Sequence, residues 1–346
     1  VQGGIEEFET EKLKNEIVKD NKLIVSRVKP SQKSELKESE GYDRNITDYD
    51  RNITDYDRNI TNDDRNITVF DILPPHNPKD FSNPDGYSFT IVTAANYNHW
   101  CHLQTWINHL NIIKLLLPKY IKPRIIIYDL GLKRKQKIYL NALKSVKYFT
   151  KLRTFNFSKY PEFWDIQKNR TSRGEYGWKA GILKEISMEF PGILMWADTG
   201  TILGQEILEN LPKILKLYDG FFSPRSNGTM DQWIHPGVFK YFNDDASKYV
   251  NLFNCNAAAM FFDTRKTQYL IDKLYECALE EECIAPLGSN RANHRQDQAI
   301  LSYLVANDHR KCDIKVSALD IVTHGIDKLC GNDKRIAKYA NESKSS

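Results

Sequence analysis

From Tyr87 onward, short apolar runs alternate with amphipathic segments, and this alternation constrains the fold more than any other feature. SFTIVTAA at 88–95, PRIIIYD at 123–129, KLRTFNF at 151–157 and GILMWAD at 192–198 are brief, rich in apolar and β-branched residues, and spaced as buried strands. Between them Leu103, Trp106, Ile107, Leu110 and Leu117 recur at helical spacing. A Lys-rich helix then runs to about Lys144, and Trp178, Ile182, Ile186 and Phe190 make an i+4 stripe stopped by Pro191-Gly192. EILENLPKILKLYD predicts a further helix, NAAAMFFD at 256–263 a late strand, and Tyr269 to Ala278 another helix. Such alternation predicts an α/β fold: an open, mostly parallel sheet with helices on both faces and its ligand at the carboxyl ends of the strands.

The first 86 residues read differently. Residues 1–41 are too polar and charged to offset the entropy of ordering. A heptapeptide follows four times, starting at Tyr42, Tyr49, Tyr56 and Asp63, and each copy holds an Asn-x-Thr glycan acceptor, at Asn45, Asn52, Asn59 and Asn66. Tyr and Ile alternate at coiled-coil spacing, but Asn, Asp and Thr are poor helix formers over so short a run. An extended or disordered stem suits it better, closed by the Pro-rich linker PPHNPKDFSNP at 74–84. The expected layout is a stem over 1–86, one α/β domain over 87–335 and a polar tail over 336–346.

With 346 residues and 41% apolar content, most of the chain can fold around a core. A net charge of +4, spread rather than clustered, argues against a nucleic-acid partner. No run approaches the roughly 20 apolar residues that cross a bilayer. Six cysteines permit three disulfides or six reduced thiols. Cys277 and Cys283, framing CALEEEC, are the expected pair, with Cys312 and Cys330 as a second. Without a CxxC, zinc and thioredoxin-type chemistry are not expected.

Polar residues gather where the strands end: Thr93 and Asn96 after the first, Asp129 after the second, Trp196 and Asp198 at the fourth. A carboxylate beside small residues at a strand end binds ribose hydroxyls or a divalent cation. There is no GxGxxG after the first strand and no GxxxxGK[ST], so the dinucleotide and P-loop signatures are missing.

Six motifs occur in order: YDLGL at 128–132, YGWKAGIL at 176–183, MWADTGT at 195–201, CALEEECIAP at 277–286, HRQDQAILS at 294–302 and THG at 323–325. Over about residues 87–330 the chain resembles eukaryotic glycosyltransferase-like families of the GT-A fold. The resemblance implies transfer from a nucleotide-sugar donor to a hydroxyl on a glycan, protein or lipid, with a Mn²⁺ or Mg²⁺ ion at the diphosphate. It also implies the Golgi lumen, with membrane attachment only through an N-terminal anchor absent from these residues. The repeat region would then be a glycosylated stem.

Carried over by position, Asp198 matches the first acid of the family's Asp-x-Asp metal motif, while the second position is Gly200. His324 matches a late histidine that completes the metal shell in some relatives; its alternative is an ordinary loop histidine. Without a metal, Lys179, Arg173 or Arg225 would neutralise the leaving diphosphate. Asp297 is either a group of the first helical turn or a catalytic carboxylate beside the reacting sugar. Asp129 either forms a turn or meets the nucleoside, and Trp233 and His235 are placed to meet an acceptor sugar.

Two rivals stand beside this reading. The missing acid at position 200 fits a GT-A fold that binds sugar or nucleotide without catalysis. Asp198-Thr199-Gly200 also matches the aspartic-protease tripeptide, but that chemistry needs two such aspartates and no second DTG or DSG occurs.

Overall fold

The computed structural model describes Phe70, Leu73, residues 77–169 and residues 172–332. The acceptors Asn45, Asn52, Asn59 and Asn66, most of the expected stem, and the 336–346 tail lie outside these residues.

The strands are β1 (Phe89–Ala95), β2 (Pro123–Asp129), β3 (Lys151–Thr154), β4 (Ile193–Ala197), β5 (Ile202–Leu203), β6 (Phe221–Phe222), β7 (Arg225–Thr229), β8 (Phe253–Cys255), β9 (Ala259–Asp263) and β10 (Ile321–Val322). The longer helices are α1 (Trp100–Leu116), α2 (Arg134–Ser145), α3 (Gly177–Glu189) and α4 (Gln205–Leu217). The short α5 (Met230–Trp233) and α6 (Pro236–Tyr241) follow, then α7 (Thr264–Leu279), α8 (Glu281–Ile284), α9 (Gln296–Asn307) and α10 (Gly325–Asn332).

One six-stranded sheet carries the fold, in the order β3-β2-β1-β4-β9-β6. The pairs β3–β2, β2–β1 and β1–β4 are parallel, as expected. The late strand β9 is not: it pairs antiparallel with both β4 and β6. A sheet buried on both faces hides strand direction, because every position is apolar whichever way the chain runs. The reversal sets the start of β9 beside the end of β4, where the Asp198 amide donates to the Ala258 carbonyl at 2.9 Å.

Side chains alternate between two helical layers with the period of the strand. Val92, Ile126, Leu194, Trp196 and Phe262 pack with Ile182, Ile186, Leu270 and Leu304, from α3, α7 and α9. Ile91, Ile125, Met195 and Phe261 pack with Trp106, Leu140 and Leu211, from α1, α2 and α4. Gly181, within α3, packs so closely on Trp164 of the 3-10 turn Glu162–Trp164 that a Cβ there would come within 2.7 Å of its ring. This approach requires the glycine of WKAGIL.

Part of the expected linker belongs to the packed body. Asn77 caps a 3-10 turn over Pro78–Phe81, and Phe81 is buried against the Tyr120 ring. The Arg124 guanidinium, sandwiched between the Tyr87 and Phe190 rings and paired with Asp85, ties this segment to β2.

All three disulfides form, and Cys277 is joined to Cys283. The expected Cys312–Cys330 pair is corrected: Cys312 bonds Cys255, and Cys330 bonds Cys101. Cys312 returns beside β8 after α9, whereas α10 packs on α1 and so brings Cys330 to Cys101. These contacts join segments far apart in the chain, which spacing cannot reveal. No described helix is long and apolar enough to cross a membrane.

Candidate functional site

The chain leaves β1 for one side of the sheet and returns through β4 on the other. The carboxyl ends of β1 and β4 therefore flank the point where strand order reverses, the usual place for a ligand on an open α/β sheet. Asn96 ends one strand and Asp198 the other.

Two strained segments bring charge to this point. Arg173, Gly174, Glu175 and Tyr176 all take left-handed backbone conformations, with φ between 47° and 64°. Such geometry costs non-glycine residues roughly 1–2 kcal/mol each and persists where surroundings enforce it. Here the segment turns into α3 and sends Lys179, in the first turn, inward. Gln296, with φ 40°, does the same for Asp297 in the first turn of α9.

The three charged side chains meet. The Lys179 Nζ lies 3.2 Å from Asp198 Oδ1 and 2.8 Å from Asp297 Oδ2, and donates to the Ala257 carbonyl at 3.1 Å. It also stands 5.2 Å from the Trp196 ring centre. Burial alone would lower the Lys179 pKa, but the two carboxylates outweigh it and hold the ammonium above the ordinary lysine value. Burial pushes the Asp297 carboxyl up, against the pull of Lys179. Trp196 Nε1 donates to Asp198 Oδ1 at 2.6 Å. One oxygen of Asp198 is thus fixed by two donors, and its side chain stays 37% exposed where Asp297 is 9%. Asp198 is partly open to solvent, whereas Asp297 is closed in beside Lys179.

The other expected site residues divide. Asp129 is buried and committed to a turn: Oδ1 accepts from the Gly131 and Leu132 amides, and Oδ2 pairs with Lys137 at 2.7 Å. Thr93 is fully buried within β1. Asn96 accepts from the Asn98 amide and meets His99 Nδ1, capping the turn that leads into α1. Lys179 pairs with two acids. Arg173 is exposed and donates to the Tyr176 hydroxyl at 2.8 Å, where Arg291 also donates at 3.1 Å. Arg225 belongs to the β7–β8 ribbon, over the Phe253 ring, apart from this cluster. Trp233 lies under the Arg295 guanidinium, and His235 donates its amide to His294 Nδ1, so both border the segment that carries Asp297.

The implied divalent cation does not find its ligands. Position 200 is glycine, Asp198 Oδ1 already serves Lys179 and Trp196, and His324 Nδ1 bonds Asp327 Oδ2 at 3.1 Å. Among the described residues no three His, Cys, Asp or Glu side chains are gathered to hold a metal ion. Asp198 and His324, the expected metal ligands, thus each bond a side chain of their own.

Sequence reasoning missed His102 and Asp327, whose side chains meet at 3.2 Å beside Gly200. The spacing of His99 and His102 at the entry to α1 was a usable signal. Nothing local marked Asp327.

No family model and no curated protein matches the chain. Among solved structures it is similar to the galactosyltransferase LgtC in complex with donor and acceptor sugar analogues, at 14% identity and TM-score 0.38, over 66% of this chain and 72% of that one. The bifunctional glycosyltransferase WbbM is 14% identical with TM-score 0.39, over 64% of this chain and 38% of that one. Mouse xyloside xylosyltransferase 1 is 11% identical with TM-score 0.36, over 64% and 82%. These scores mark a distant likeness, and no residue role follows from them.

Proposed function

We propose that the protein is a glycosyltransferase of the GT-A type, moving a sugar from a nucleotide donor to a hydroxyl acceptor. The observation that carries this reading is Asp198: a clamped carboxylate, partly open, at the strand-order reversal of an α/β sheet. The six ordered motifs supply the reaction class.

In the proposed step the bond between the sugar's anomeric carbon and the diphosphate oxygen breaks, and a bond to the acceptor oxygen forms. The acceptor's proton passes to the Asp198 carboxylate, and the nucleoside diphosphate leaves. Lys179 and Trp196 hold one oxygen of Asp198 in place and so aim the carboxylate. Asp297, closed in beside Lys179, acts as a positioning residue and does not touch the sugar. Trp233 and His235 border the acceptor side in this reading, and the enzyme works in the secretory pathway, where its disulfides would persist.

The non-catalytic alternative draws on Gly200 and on the pairing of both acids with Lys179. A screen of UDP- and GDP-sugars for hydrolysis separates the two. Slow hydrolysis of one donor, accelerated by an acceptor, is the expected result. Binding of UDP or GDP with no turnover of any donor favours the non-catalytic protein.

A further inference from the structure

The sheet edge opposite Asp198 carries a different chemistry. β1, β2 and β3 run parallel, so the loops that lead into them gather at one edge. The seven residues of β1 put it about 20 Å from the edge that holds Asn96 and Asp198. The whole chain has a net charge of only +4, yet between Lys114 and Lys147 ten basic residues stand against one acid, Asp129. Lys119 and Lys122, in the loop before β2, and Lys144 and Lys147, where α2 ends, bring this charge to the edge, all four exposed. Among the described residues none of the four enters an ion pair. The acids bordering them are engaged, Asp85 by Arg124, Glu189 by Lys151 and Arg153, and Glu209 by Gln205. Asp80, exposed in the 3-10 turn, offsets one lysine.

Apolar side chains protrude through the same surface. α1 ends here, and its last two leucines, Leu115 and Leu116, are 60% and 44% exposed, with Tyr120 at 38% in the loop that follows. Lys114 Nζ donates to the Lys147 carbonyl at 2.8 Å, which sets the leucine pair beside the end of α2. Ser88 fixes the loop: its hydroxyl donates to the Tyr120 carbonyl at 3.2 Å and accepts from the Lys122 amide at 2.9 Å. The chain also enters the domain here, since Phe81 packs on the Tyr120 ring at 5.7 Å. The residues before the linker therefore join the domain at this edge and not beside Asp198.

Uncompensated lysines and exposed leucines on one surface match a partner that is both anionic and apolar. Lysine is a compact point charge suited to a diffuse anionic field, whereas a bidentate phosphate or carboxylate site favours arginine. An exposed leucine gains only where it can leave water. An anionic lipid surface offers both; an acidic polymer offers the charge alone. We propose that this edge rests on an anionic lipid surface, with Leu115, Leu116 and Tyr120 entering the headgroup boundary and the four lysines held over the lipid charges. The Asp198 edge then faces away from the membrane. The contact is independent of the reaction performed at that opposite edge.

The test is co-sedimentation of the full chain with vesicles of phosphatidylcholine alone and with about 30% phosphatidylserine. Binding is expected to the anionic vesicles only, and it should fall as salt rises. A lysine near such a surface is worth about fivefold, so Lys119→Gln, Lys122→Gln, Lys144→Gln and Lys147→Gln together should weaken binding about 100-fold or more. Leu115→Ser with Leu116→Ser changes no charge and should still cost about tenfold. All six positions are exposed, so both variants should keep the wild-type circular dichroism. If the paired leucine variant does not fold, Leu115→Ser alone decides. No binding of the wild type to anionic vesicles overturns the proposal, as does undiminished binding by either variant. Binding to heparin in place of vesicles overturns it too and marks an acidic polymer as the partner.

Discussion

Two charged clusters flank the end of β4, and they are built on opposite principles. Lys179, Asp297 and the inner oxygen of Asp198 form a buried group, locked by strained backbone on two helices. His102, Asp327 and His324 form an open group, 22%, 47% and 71% exposed, held from outside by a disulfide. In the buried cluster each charge is held in place by the others, so removing one strands the rest. In the open cluster water can replace a lost partner, so the fold tolerates change and only the site's geometry suffers. Stability and ligand affinity should therefore separate between the two.

The sharpest way to break this contrast is Lys179→Met. It leaves two carboxylates without their cation and should cost about 3–5 kcal/mol of folding stability, read by urea denaturation. A loss below 1 kcal/mol would mean the buried cluster is no more interdependent than the open one.

Acid should weaken the buried side through His294. Its Nε2 donates to the Ile284 carbonyl at 2.8 Å and its Nδ1 accepts from the His235 amide, so the fold holds the ring neutral. Burial lowers its pKa from the usual 6.5 to about 4. Since the folded value lies below the unfolded one, the stabilisation is complete above pH 6.5 and is lost as pH falls toward 4. That amounts to about 3 kcal/mol. Stability measured across this window should fall in the wild type and stay flatter in His294→Gln.

The smallest stability effect belongs to the open cluster. Gly200→Ala should push Asp327 aside, because only the end of one side chain must move. Folding stability should change by less than about 1 kcal/mol. His102 and His324 should nevertheless lose their shared partner, visible as shifts of both imidazole resonances.

Much of the fold was legible because burial writes itself locally. β1, β2 and β4 are continuous apolar runs, and the Trp178–Ile182–Ile186 stripe follows α3. The direction of β9 was hidden because a doubly buried strand has no polar edge to orient it. The two-residue strands β5, β6 and β10 are too short to leave a pattern. In the site, Asp198 showed itself as an acid among small residues at a strand end. Its pairing with Lys179 and Asp297 depends on left-handed backbone at Arg173–Tyr176 and Gln296, which residue types do not announce. Asp129 was legible as either a turn former or a contact, and its bonds to the Gly131 and Leu132 amides are those of the turn. The Cys101–Cys330 pairing and Asp327 were beyond reach, since nothing near Gly200 in the chain points to α10.

The central claim is that Asp198, aimed by Lys179 and Trp196, does the chemistry at this strand end. The direct measurement is the rate of donor hydrolysis by Asp198→Asn against wild type, with EDTA present, on whichever sugar nucleotide the wild type cleaves. The account predicts a loss of about 100-fold or more in kcat, with the fold intact by circular dichroism. An Asp198→Asn protein that cleaves the donor at the wild-type rate would contradict it.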